Sequence, residues 1–187
     1  MQRKIKRKPP RIDRLFARFE ASVYLLTFNT HARRQILARA AVHAAFIKYC
    51  HHAAKFRIIV GRYVIMPDHV HLFVCFGSDC TITLSEWIKG MKRQLSSTLS
   101  DSSVRPTRFS GQILSSLWQP GFHDHVLRSS ESYADKWNYL HENPVRAGLV
   151  EIAKAWPYAG EIAMIDRAFF VFAQLIITWI TQYFWVF

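Results

Sequence analysis

Residues 66–76 read M-P-D-H-V-H-L-F-V-C-F. Pro67 presets φ and Asp68 can bond the backbone beyond it, so the pair predicts a turn. The β-forming run on its N-terminal side, residues 56–66, predicts one strand, and residues 69–76 predict the returning strand of a hairpin. Alternate residues of a strand share a face. Val70, Leu72, Val74 and Phe76 form a uniformly apolar set facing a core, which turns His69, His71, Phe73 and Cys75 the other way. A strand that only filled a core would not need two imidazoles on one pleat. Side by side they can converge on one ion, because imidazole is a common transition-metal ligand. Cys75 lies roughly 13 Å from His71 along an extended strand, too far to share that ion, which argues against a structural zinc site.

Outward from the hairpin, residues 22–28, S-V-Y-L-L-T-F, predict a first strand. Residues 32–54 are alanine-rich, with Ile36, Ala40, His43 and Ile47 at helical spacing, and predict a helix. On this helix His43, His51 and His52 read as surface or boundary residues. Thr83-Leu84-Ser85-Glu86 has capping-box spacing, so a helix should run from about Thr83 to Leu99. Residues 96–111 read as a polar loop and 122–127 as a fourth strand. Residues 130–143 predict another helix, stopped by Pro144. The order βαββαβα gives an α+β fold, an antiparallel sheet with helices packed on one face. His123 and His125 in F-H-D-H-V form a second pair at strand spacing, secondary because Asp124 spoils the opposite face.

The chain has 187 residues, half of them hydrophobic, which fits one folded domain with a substantial core. Lys and Arg outnumber Asp and Glu by 25 to 13, a formal charge of +12 that favours a polyanionic partner, nucleic acid first. Six of the first eleven residues are Lys or Arg, so residues 1–21 read as a basic arm ahead of a domain over 22–166. Three cysteines without C-x-x-C spacing point to free thiols in a reducing cytoplasm. No apolar segment follows the basic start closely enough to form a signal peptide. Residues 167–187 form an apolar tail long enough to cross a bilayer. Yet Gln174, Thr178, Thr181 and Gln182 make a polar stripe that fits a helix packed on protein, and an extension without a selected role is a third reading.

In Y-L-H-E-N-P-V-R-A-G-L-V, residues 139–150, Tyr139 and Asn143 stand four apart and share a helix face. Tyrosine offers a phenol that can attack phosphorus, and asparagine an amide oxygen that can ligate a metal. A half-buried tyrosine and a helix-ending asparagine are the plain alternative. Tyr133, six residues earlier, lies about 120° away around the axis and should pack on the sheet. Lys89, Lys92 and Arg93 form one basic stripe on the preceding helix, fit either for tracking phosphates or for simple solvation.

Taken together, M-P-D-H-V-H-L-F-V, W-Q-P-G-F-H-D-H-V-L-R and Y-L-H-E-N-P-V-R-A-G-L-V resemble, in order and spacing, the REP-associated tyrosine transposases of the HUH superfamily of single-strand DNA nucleases. The resemblance implies a ferredoxin-like sheet with the histidine pair on a central strand. It implies His69, His71 and Asn143 as ligands of a divalent metal, Mg²⁺ or Mn²⁺, and Tyr139 as the nucleophile. Lys89, Lys92, Arg93, Arg128 and Arg146 are candidate DNA contacts, the last two because they flank the resembling blocks. The implied partner is single-stranded DNA or DNA hairpins, and the implied activity is cutting and rejoining near imperfect palindromes; the oligomeric state, monomer or homodimer, stays open, and the cysteines place the chain in the cytoplasm. A domesticated hairpin-binding protein that keeps the fold without cutting is the alternative.

Overall fold

The computed structural model describes residues 21–77, 80–101, 117–127 and 130–165. The basic arm up to residue 20, Arg128 and the apolar tail lie outside these residues. Among the described residues five strands form one antiparallel sheet, and the chain order is β1 (Ala21–Asn29), α1 (Ala40–Ala53), β2 (Ile58–Ile65), β3 (His69–Gly77), α2 (Leu84–Asp101), β4 (His123–Leu127), α3 (Ser130–His141), α4 (Asn143–Arg146) and β5 (Ala159–Glu161). The sheet order is β4-β1-β3-β2-β5, which puts the histidine strand at the centre.

The alternation read in β3 holds. Val70, Leu72, Val74 and Phe76 lie in the main core with Tyr24, Leu26 and Phe28 of β1. Helix α1 contributes Val42, Phe46 and Cys50 to this core, and α2 contributes Trp87, Ile88, Met91 and Leu95. The capping box that opens α2 is formed. The Thr83 N–H donates to Glu86 Oε2 at 2.8 Å, and the Glu86 N–H donates to Thr83 Oγ1 at 3.2 Å.

Helices α1 and α2 pack on one face as expected, but α3, expected on that face too, lies on the opposite one. There Leu140 packs with Phe73, Val64, Met66 and Leu127, supported by Tyr133 and Trp137. Phe73 and Cys75, on the histidine face of β3, are therefore buried as well. A bulge in β2 sets two residues, Gly61 and Arg62, against one position of β3 between the pairs Val60–Val74 and Tyr63–Leu72. It returns Tyr63 to the core side, and a Cβ on Gly61 would come within 2.7 Å of Ile165 and 3.1 Å of the Tyr133 hydroxyl.

Several elements differ from the sequence reading: β2 is shorter, Ile58–Ile65, and α2 runs on to Asp101, into the stretch read as a loop from residue 96. Helix α1 begins at Ala40, because Arg39 is extended and the preceding segment is bonded to the Pro67–Asp68 turn. Pro144 does not end the helical course. It sits in the first turn of α4, where a missing N–H costs nothing, and Gly148 at φ 68 closes that turn. Strand β5, only three residues long, carried no readable pattern and is held by pairing with β2.

Candidate active site

His69 and His71 begin β3 and project to the α3 side, since they alternate with Val70 and Leu72. Their ring centroids are 4.7 Å apart and the rings stand edge to face. Each ring is held through Nδ1. His71 Nδ1 is 2.8 Å from Thr27 Oγ1, its direct cross-strand neighbour on β1. His69 Nδ1 is 2.6 Å from Asp68 Oδ1. A carboxylate only accepts, so His69 donates from Nδ1 and keeps the Nε2 lone pair available. Burial holds both imidazoles below their ordinary range. For His71, burial first, then the neighbouring His69 ring and the Arg33 charge, push the pKa down to about 3. For His69 the downward effect of burial is opposed by Asp68. Neutral imidazoles with oriented Nδ1 atoms are the form in which histidine ligates a metal, so the donor chemistry fits a divalent ion. Among the described residues no group of three His, Cys, Asp or Glu is placed to hold an ion.

Tyr139 is 64% exposed on α3, the helix covering the histidine face. Asn143, expected on the same helix, opens α4 instead. Arg146 joins the two residues: its guanidinium lies 4.0 Å from the Tyr139 ring centroid and donates to the Tyr139 carbonyl and to Asn143 Oδ1. Arg146 thus caps the carbonyl end of α3 beside the exposed phenol. Among the described residues no hydrogen bond or ring contact joins the Tyr139–Asn143 pair to the histidine pair. Tyr133 packs on the sheet as expected. Its ring centroid is 4.4 Å from that of Phe73, the Arg62 N–H donates to its hydroxyl at 3.4 Å, and burial raises its pKa above the ordinary phenol value.

The basic stripe of α2 divides. Lys89 and Arg93 are exposed, on a helix that covers the sheet face opposite the histidine pair. Lys92 is engaged internally, donating to the carbonyls of Gln119 at 3.1 Å and Gly121 at 2.6 Å. Its ammonium also lies 5.6 Å from the Phe28 ring and 5.9 Å from the Trp118 ring. The second histidine pair shares the sheet with the first. Register aligns His123 with Thr27, and Thr27 with His71, so His123 lies on the same sheet face, two strands away.

Sequence reasoning missed Thr27, Asp68 and Arg33 as parts of this site. Thr27 had one signal, a hydroxyl in an otherwise apolar stretch of β1. Asp68 was read only as turn chemistry. Arg33 pairs with Asp68 through Nε at 2.6 Å, a contact that only the tertiary fold creates.

The IS200-like transposase family matches residues 19–143. A REP-associated tyrosine transposase of Escherichia coli K12 is 28% identical over 100 residues, covering 54% of this chain and 52% of that protein. A Haemophilus influenzae protein assigned by name to the same group is 29% identical over 98 residues, covering 51% of this chain and 54% of its own. The chain thus aligns with about half the length of these relatives. A solved REP-associated tyrosine transposase bound to a REP hairpin shares the fold at a TM-score of 0.58 and 22% identity, over 75% of this chain and 77% of that one. With the family match spanning β1 to β4, the histidine strand among them, and the helix of Tyr139, the chain belongs to the IS200-like transposases.

Proposed function

We propose that this protein is a metal-dependent single-strand DNA transposase that cuts and rejoins DNA beside hairpin-forming palindromes through a 5′-phosphotyrosine. The observation that carries this reading is the pair of neutral, Nδ1-anchored imidazoles on the sheet face that the helix of exposed Tyr139 covers. His69 and His71, with Asn143, would hold a Mg²⁺ or Mn²⁺ ion. Such an ion polarises a phosphodiester oxygen and offsets the charge that grows at phosphorus.

The remaining steps belong to the chain's own residues. The Tyr139 oxygen attacks phosphorus in line and loses its proton, forming a P–O bond to tyrosine. The P–O3′ bond breaks, and the departing oxygen takes up a proton as a 3′-hydroxyl. The phosphotyrosine conserves the bond energy, so an incoming 3′-hydroxyl reverses the same step and joins a new strand. Thr27 and Asp68 keep the imidazoles oriented throughout. The net charge of +12 favours the phosphate backbone, and a fold-sharing relative bound to a REP hairpin supports a hairpin substrate.

The test is incubation of the full-length protein with 3′-labelled hairpin DNA from the flanks of its own gene, with Mn²⁺ or Mg²⁺. A covalent adduct is expected, lost in chelator and in His69→Ala or His71→Ala, while hairpin binding persists because phosphate contacts supply most affinity. Hairpin binding without any adduct would replace this reading with that of a non-cutting hairpin-binding protein. Full cleavage by the double histidine variant in chelator would remove the metal from the mechanism.

A further inference from the structure

We infer that Arg33 is a positioning residue for the histidine pair, acting through Asp68; the inference rests on the reading that these histidines hold a metal. It begins with the backbone. Ala32 and Arg33 have φ of 53° and 54°, the left-handed region, without being glycine. Left-handed backbone is unfavourable for any residue that carries a Cβ. The segment is held in place at both ends by the turn that precedes β3. The buried Thr30 bonds the Asp68 carbonyl through its N–H at 2.8 Å and its hydroxyl at 3.0 Å, and the Leu37 N–H donates to the Pro67 carbonyl at 2.8 Å.

The strained turn delivers one side chain to the site. Arg33 Nε reaches Asp68 Oδ2 at 2.6 Å, and its Nη1 donates to Asn29 Oδ1 at 2.9 Å. The other Asp68 oxygen faces His69 Nδ1, so the carboxylate is fixed from one side by a guanidinium and orients an imidazole on the other. Asn29 is the cross-strand partner of His69, and its amide nitrogen donates to Gln119 Oε1 at 3.2 Å, which ties the relay to the loop before β4.

The bonds of Thr30 and Leu37 hold the turn without the Arg33 side chain, so its stability does not call for an arginine there. The Arg33 side chain is 56% exposed against 17% for Asp68, and an ion pair open to solvent on one side adds little to stability. Electrostatics alone predicts the opposite of positioning. A cation beside a metal site repels the ion, so removing the Arg33 charge should tighten binding if charge were its only effect. If Arg33 positions His69, removing it loosens binding. The sign decides.

The experiment is Mn²⁺ titration of the full-length protein, followed by electron paramagnetic resonance of the free ion, for the wild type, Arg33→Ala, Asp68→Asn, the double variant and His71→Ala. Loss of an outer partner of a ligating histidine weakens metal binding about 10–100-fold, and about tenfold is expected for Arg33→Ala. The double variant should bind no more weakly than Asp68→Asn alone. Unchanged or tighter binding in Arg33→Ala, or additive losses in the double variant, would overturn the relay. Nitrogen NMR of the His69 ring gives a metal-free readout. The Nδ1–H tautomer should dominate in the wild type and mix with the other in Arg33→Ala; an unchanged tautomer also overturns the relay. Mn²⁺ binding that survives His71→Ala would instead defeat the metal reading, and a tautomer shift in Arg33→Ala would then still support the relay.

Discussion

Tyr133 and Tyr139 lie on the same helix, and replacing each by phenylalanine separates the proposed nucleophile from a packing residue. Tyr139→Phe removes one exposed hydroxyl that makes no hydrogen bond among the described contacts. The ring stays under Arg146, so an interaction of about 0.5–1 kcal/mol is retained. Stability should change by no more than about 0.5 kcal/mol, or roughly 1–2 °C in Tm for a chain of this size. Tyr133→Phe keeps the contact with Phe73 and the Arg62 guanidinium 5.8 Å from the ring, but removes the acceptor for the Arg62 N–H. A neutral bond is worth about 0.5–1.5 kcal/mol, and at 3.4 Å this one belongs in the lower half, about 0.5–1 kcal/mol or roughly 1–4 °C in Tm. The variant that loses more stability should thus keep full chemistry, and the one that loses almost none should lose all of it. Both are mixed with 3′-labelled hairpin DNA and metal, the adduct is read on a denaturing gel, and its peptide is mapped. An adduct surviving Tyr139→Phe, or DNA attached to Tyr133, would refute the assignment of the nucleophile.

Lys92 and Lys89 should part in the same manner: Lys92→Met lowers Tm by freeing the Gln119–Gly121 loop and leaves the salt dependence of DNA binding unchanged, whereas Lys89→Ala spares Tm and reduces the slope of log affinity against log salt by about 0.7–0.9 if it meets a phosphate. Equal slopes for both variants and the wild type would take the α2 stripe out of the interface. Burial depresses the pKa of His43, whose Nε2 lies 2.8 Å from the Tyr63 hydroxyl. Below about pH 6.5 the unfolded chain therefore binds the proton more readily, and stability falls as pH drops through that value toward the lower folded pKa. Denaturant unfolding between pH 7.5 and 5 should show this loss, and His43→Gln should reduce it; an identical pH dependence in the variant would assign the loss to other groups.

Local chemistry made much of this protein legible in its sequence. The Pro67–Asp68 turn, the alternation in β3 and the capping box at Thr83 depend on neighbours within a few residues, so their signals survive without the fold. The angular offset between Tyr133 and Tyr139 is likewise a property of helical pitch, and it correctly put Tyr133 against the sheet. What the fold alone decided involves partners distant in the chain. Helix α1 starts late because Thr30 and Leu37 bond the distant Pro67–Asp68 turn. Lys92 looks like a surface charge until Gln119 and Gly121 bring their carbonyls to it. Helix α3 could lie on the histidine face only because Phe73, Val64 and Leu127 form a second apolar patch there, contributed by three separate strands. Thr27 and Asp68 carry the same lesson at the site itself. A threonine in a strand and an aspartate in a turn are locally ordinary, and only strand register places one against His71, just as the turn's contact with Arg33 fixes the other beside His69.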